Sequence, residues 1–187
     1  ILPYRPLVAI EGLVDFVALG TFFDYDLNEY SVKEITREAD WFIRRHPGTF
    51  LNNEKSRRLY FLKTGQAEVL CRYKEVESFP QRAQIQERVD YGIKRLKHIL
   101  TLPEMMVVLL NSSISIKAFA TYNDNSVEEI TNGVKWRIKN TDVLESNKEG
   151  YFFAKSEGVT EVVASKDGLD ALPIKIVVVN KTGHFAG

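Results

Sequence analysis

Residues 32–41 read VKEITREADW, and residues 127–136 read VEEITNGVKW. The two decapeptides agree at Val, Glu, Ile, Thr and Trp, and they hold both tryptophans of the 187-residue chain. A near-identical phrase written twice is the first sign of an internal repeat, and a repeat decides how every other segment is read.

Sliding the chain against itself extends the match in both directions. At a shift of 100, residues 3–24 align without a gap on 103–124, pairing Pro3 with Pro103, Val8 with Val108, Ala18 with Ala118, Thr21 with Thr121 and Asp24 with Asp124. The decapeptides align at a shift of 95, which pairs Ile35 with Ile130, Thr36 with Thr131 and Trp41 with Trp136. At 93, Gly65 meets Gly158, Val69 meets Val162 and Pro80 meets Pro173. The changes of shift put five extra residues after Asp24 and two after Trp41 in the first copy, both between apolar runs, where loops tolerate insertion. The sequence therefore predicts two domains, 1–90 and 93–180, with 181–187 as a tail or linker.

Periodicity gives the fold class. In SISIKAFATY (113–122), Ile114, Ile116, Ala118 and Ala120 alternate with Ser113, Ser115, Lys117 and Phe119, the period of two of a half-buried strand. Further strands are expected at 59–62, 67–73, 83–89, 152–154, 160–165 and 174–179, rich in β-branched and aromatic residues. Gly65, Gly158 and Gly168 fall between them, where turns need them. Short strands at this spacing predict an all-β protein of two tandem immunoglobulin-like β-sandwiches. Ile35 and Ile130 would face the cores, Thr36 and Thr131 would bond their own backbone in a turn, and Trp41 and Trp136 would be the central pins.

Composition limits the partners. Twenty-five basic residues balance twenty-five acidic ones, which argues against nucleic acid. Cys71 stands alone, so there is no disulfide framework, and no run of about eighteen apolar residues spans a membrane. His46, His98 and His184 show no metal-ligand spacing, and neither a nucleophile motif nor a glycine-rich phosphate loop is present. Cys71 falls in a predicted strand at the position of Ala164 and reads as a buried, inert thiol. No catalytic residue is expected.

The second copy resembles the bacterial immunoglobulin-like domain of group 2. The residues that carry the likeness are Pro103, Ala120 to Asp124, Ile130 to Trp136, Asn140 to Val143 and Gly158 to Ala164. The first copy departs from the pattern at Gly20 to Asp24, Ala39 and Arg44 to Pro47, and enters by its alignment to the second. The resemblance implies rod-like tandem modules of intimin- and invasin-type adhesins or other surface proteins, placed at the cell envelope, extracellular or periplasmic. It implies neighbouring modules, an envelope or host protein, or a glycan as partners, and it supplies no cofactor and no catalytic residues.

Four local features carry expectations of their own. The insertion writes DYDLNE, with Asp24, Asp26 and Asn28 at alternate positions, like the start of a calcium loop, but Glu29 and Ile35 stand where such a loop needs Gly and Glu. Asx turns capping a long hairpin are the competing reading. In GLVDFVAL (12–19) the outward positions are Leu13, Val17 and Leu19, an apolar face that a neighbouring module, a partner or the inserted Tyr25–Tyr30 loop would cover. Arg44-Arg45 and Arg57-Arg58 offer basic pairs for an acidic surface, with solvated loop charges as the plainer account. The connection Asp90-Tyr91-Gly92 is short, so an elongated pair of modules is expected, with Gly92 as hinge. The first strand of the first copy would lie before Ile1.

Two functions follow. The leading one is a non-catalytic spacer or adhesive module of a bacterial surface or periplasmic protein. The other is an accessory module of a larger carbohydrate-active enzyme, in which exposed Tyr25, Tyr30 and Tyr151 contact sugar.

Overall fold

The computed structural model describes residues 1–44, 50–51 and 58–180. His46, His184, Arg45, Arg57 and the tail 181–187 lie outside them. The first half holds β1 (Leu7–Ala9), β2 (Leu13–Asp15), β3 (Leu19–Asp24), β4 (Glu29–Glu34), β5 (Asp40–Arg44), β6 (Phe50–Leu51), β7 (Arg58–Phe61), β8 (Gly65–Tyr73), β9 (Val76–Glu77) and β10 (Gln81–Gln86). The second holds β11 (Leu96–Leu102), β12 (Met105–Leu109), β13 (Ser113–Ser115), β14 (Lys117–Tyr122), β15 (Val127–Glu129), β16 (Lys135–Ile138), β17 (Leu144–Lys148), β18 (Tyr151–Ala154), β19 (Gly158–Lys166), β20 (Leu169–Asp170) and β21 (Ile174–Val179). Apart from one 3₁₀ turn at Thr131–Gly133, the regular structure of the described residues is β.

Contacts divide the chain into two compact units. Unit 1 comprises Ile1–Gly20, Lys33–Lys97 and Thr121–Val127; unit 2 comprises Thr21–Val32, His98–Ala120 and the chain from Glu128 onward. In unit 1 the order β1-β10-β8-β5 forms one sheet and β2-β7-β6 the other. In unit 2 the orders are β12-β21-β19-β16 and β13-β18-β17. The first strand of each larger sheet runs parallel to the last strand, and the remaining neighbours are antiparallel. This division of strands, with β5, β8 and β10 or β16, β19 and β21 in one sheet and β2, β7 and β6 or β13, β18 and β17 in the other, is that of an immunoglobulin-like sandwich.

The pairings reproduce the shifts read from the sequence. Leu7 lies opposite Gln84, and Val107 opposite Val177. Val14 faces Leu59, as Ile114 faces Phe152. Trp41 faces Cys71, as Trp136 faces Ala164. Each pair maps on the next by the same shifts of 100, 95 and 93, because a slip of one residue would turn every apolar side chain outward. Gly65 and Gly158 open β8 and β19 at φ of 140° and 146°, and a Cβ on Gly158 would come within 3.0 Å of Val143.

Each core lies between its sheets. In unit 2, Met106 and Val108 from β12, Ile174, Ile176 and Val178 from β21 and Val162 from β19 meet Ile114 and Phe152 from the opposite sheet. In unit 1 the buried set includes Val8, Val14, Phe16, Leu59, Phe61, Val69 and Ile85, drawn likewise from both sheets.

The repeated decapeptide is a hydrogen-bonded corner. Ile35 N–H donates to the Ala18 carbonyl at 2.9 Å, and Ile130 N–H to that of Ala118 at 2.8 Å. The threonine hydroxyl accepts the alanine N–H in return, Thr36 from Ala18 at 3.0 Å and Thr131 from Ala118 at 3.1 Å. The indole N–H then donates to the threonine carbonyl, Trp41 to Thr36 at 3.0 Å and Trp136 to Thr131 at 3.2 Å. Threonine therefore bonds the neighbouring strand, where the sequence suggested its own backbone. A local pattern cannot show a partner eighteen or thirteen residues away. The corner satisfies buried polar groups that would otherwise cost about 1–3 kcal/mol each. Ile35, Ile130 and Trp41 are buried, and Trp41 packs on Phe16. Trp136 is half-buried and lies edge-on against Phe152, beside the unit 2 core.

Candidate functional site

The insertion after Asp24 lengthens the β3–β4 hairpin, whose tip belongs to unit 2. Phe23 meets Tyr25 edge-on and Tyr30 at a tilt, with ring centroids 4.9 and 4.7 Å apart. Tyr30 reaches inward, packs against the unit 2 core, and its hydroxyl accepts the Val107 N–H at 3.4 Å. Tyr25 remains at the tip, 88% exposed.

Beside Tyr30 opens a cleft of about 170 Å³. Its floor is apolar, made by the buried Met106, Val108 and Ile114 at the gap between β12 and β13. Tyr30 and Tyr151 line it, and Asn28, Glu29, Ser113 and Ser115 supply polar groups. Ser115 and Tyr151 are cross-strand partners in β13 and β18, which sets their side chains side by side. Of the three tyrosines singled out in the sequence, two thus meet at one place. Ser113 and Ser115 carried no signal beyond their alternation, and became site residues only through the partner strand.

The calcium candidates form a turn. Asp24 Oδ1 accepts the N–H groups of Asp26 at 2.9 Å and Leu27 at 3.0 Å, and Asn28 adopts a left-handed φ of 54°. The Asx-turn reading describes this geometry, and the residues do not fit a calcium loop: the Asp24 oxygen is turned to backbone donors. Among the described residues, no three His, Cys, Asp or Glu side chains gather in a way that could hold a metal.

The other candidates are placed as follows. Leu13 is 59% exposed, while Val17 and Leu19 are half-buried and Val17 pairs through its backbone with Leu2. Among the described residues, the apolar outer face therefore stays open at Leu13. Phe119, expected to point outward, is buried. Gly92 has a φ of 55°, and its N–H donates to Asp90 Oδ1 at 2.8 Å. Asn123 Nδ2 donates to the carbonyls of Tyr91 and, at 3.0 Å, Ile93, so the expected hinge residue is tied on both sides. Asn125 was not anticipated: its carboxamide accepts Leu7 N–H at 3.1 Å and donates to Leu7 O at 2.7 Å, imitating a strand along the open edge of β1. Tyr91 adds its hydroxyl to Leu7 O at 2.9 Å, and burial raises its phenol pKa.

The basic pairs are neutralised where they are described. Arg44 and Arg72 both hold Glu77, at 3.1 and 3.0 Å, and the Arg72 hydrogen bond is the main reason the Glu77 carboxyl lies below its usual range. Arg58 binds Asp15 through two bonds of 2.8 and 2.9 Å. Cys71 is buried, and burial raises its thiol pKa, which keeps the nucleophilic thiolate scarce. His98 lies in β11, half-buried.

No protein-family model and no curated protein matches the chain. Among solved structures the chain is similar to the S-layer protein SbsC, domains 4 and 5, at 13% identity over 92% of each chain with a TM-score of 0.38. It is also similar to the C-terminal 282-residue fragment of intimin in complex with the Tir intimin-binding domain, at 13% identity over 95% of this chain and 62% of that one, TM-score 0.32. A third is the Escherichia coli adhesin FdeC, at 10% identity over 95% and 61%, TM-score 0.29. The immunoglobulin-like assignment stands on the strand pairings.

Proposed function

We propose that the chain is a non-catalytic structural and adhesive segment of a bacterial cell-surface or periplasmic protein, made of two group 2 bacterial immunoglobulin-like modules, 1–90 and 93–180. It acts as a spacer or a protein-binding segment. The observation that carries this reading is the agreement of strand register between the two halves, from Leu7–Gln84 and Val107–Val177 to Trp41–Cys71 and Trp136–Ala164. A frame shared by the two larger sheets and by the β2–β7 and β13–β18 pairs suits a part that works by geometry. Pulling the chain from its ends tests the modular reading. Two separate unfolding events, each releasing about 300 Å of contour for some ninety residues, are expected. A single event releasing the whole length overturns it.

One observation favours the second reading, an accessory module of a carbohydrate-active enzyme: Tyr30 and Tyr151 line the same cleft. A catalytic domain in the same polypeptide would decide for it.

A further inference from the structure

The unit 2 cleft has a chemistry that the spacer reading leaves unused. Among the described residues, the side chains of Asn28, Glu29, Ser113, Ser115 and Tyr151 have neither a hydrogen-bond nor an ion-pair partner. All five converge on a cleft whose floor is apolar and whose walls include two phenol rings. Unit 1 treats the equivalent place differently. Asp15 and Arg58 are the counterparts of Ser115 and Tyr151 at the shifts of 100 and 93, and they close on each other in a two-point ion pair. The open hydroxyls of unit 2 are therefore particular to that unit rather than required by the fold.

Chemistry narrows the occupant. An apolar ligand would strip water from five polar side chains and pair none of them, at a cost for each. An anion would meet the Glu29 carboxylate, and a cation would find that carboxylate alone. A neutral polyol ring meets every demand: its hydroxyls donate to Glu29 and exchange bonds with Ser113, Ser115 and Asn28, while its C–H face lies on a phenol ring. The volume equals that of about six waters, the scale of one such ring. We propose that this cleft binds a single neutral pyranose unit of a surface glycan, with Tyr151 as the stacking platform and Glu29, Ser113 and Ser115 as the hydroxyl contacts. The proposal deepens the adhesive reading by naming a ligand class, and it rests on that reading only for the biological setting.

Saturation-transfer NMR on the full 187-residue chain tests it, using the methyl α-pyranosides of glucose, galactose and mannose, and N-acetylglucosamine, each at about 10 mM, where millimolar affinity suffices for a signal. At least one sugar should bind. Tyr151→Ala should weaken that binding tenfold or more, and Ser115→Ala several-fold. Tyr25→Ala removes a phenol that is more exposed but stands at the hairpin tip, and should leave binding unchanged. Because Tyr151 is half exposed, its alanine variant should unfold like the parent, which tryptophan fluorescence verifies. Silence of all four sugars overturns the proposal, as does equal loss in Tyr25→Ala or full retention in Tyr151→Ala. The two-event unfolding would survive each of these results, so failure of the sugar site is distinguishable from failure of the modular reading.

Discussion

The outward faces of the two larger sheets differ along one row, although their ladders agree. In unit 1 the face carries Gln66 bonded to Gln84 across the strands, Glu68 paired with Arg82, and Glu77 held by Arg44 and Arg72. In unit 2 the row that corresponds to Gln84 and Gln66 runs Val107–Val177–Val159, with Met105 at its flank, and Val107, Val159 and Met105 are 46%, 53% and 60% exposed, while the counterparts of Glu68 and Glu77, Glu161 and Asp170, keep ion pairs with Lys139 and Arg137. Both rows obey the same alternation, so the inward residues suffice to specify the sandwich and the outward ones are free to diverge. The two units share a frame and differ in what they show to solvent.

The repeated corner is also buried unequally in the two units. Trp41 is 5% exposed and Trp136 half-buried, so alanine at Trp41 should cost about 3–5 kcal/mol and at Trp136 clearly less. Denaturant unfolding of each variant measures the gap, and equal losses would break the comparison.

A smaller effect is expected from the threonines. Thr36→Val strands the Ala18 N–H in a site where Thr36 itself is 2% exposed, and should destabilise by about 1–3 kcal/mol. Thr131 is less buried, and water can replace part of its role, so Thr131→Val should fall at the lower end of that range. Reversal of the order in urea titrations would sink this account.

The smallest effect concerns acid. Glu77 is held below its usual range chiefly by its hydrogen bond from Arg72, and Asp124 by bonds from the Ser126 hydroxyl and N–H. Both lie in unit 1. A carboxyl lowered in the folded state contributes stability above its unfolded pKa of about 4, and that contribution is lost as pH falls through the folded value. Unit 1 should therefore weaken slightly below pH about 4, followed by Trp41 fluorescence, and Glu77→Gln should flatten that dependence.

Much of the frame was legible because it is written in local periods. The alternation over 113–122 placed β13 and β14, broken at Ile116, and the shifts of 100, 95 and 93 carry Leu7–Gln84, Val14–Leu59 and Trp41–Cys71 onto their counterparts in the second half. What escaped were side-chain partners remote in sequence. Thr36 and Thr131 bond across to the alanine strand. Asn125 reaches Leu7 from 118 residues away, and nothing in NDNS announces an amide that acts as a strand. The cleft likewise joins Tyr30 to Tyr151, which only folding brings near. The outward-face expectation erred at Phe119 because a strand's second face is not always solvent.

Each unit owns a single indole, one enclosed and the other partly wetted. The molecule thus carries its own pair of optical probes: emission from Trp41 should be bluer and harder to quench with acrylamide than that from Trp136. Either sandwich can be watched melting by replacing the other indole with phenylalanine, with no dye attached.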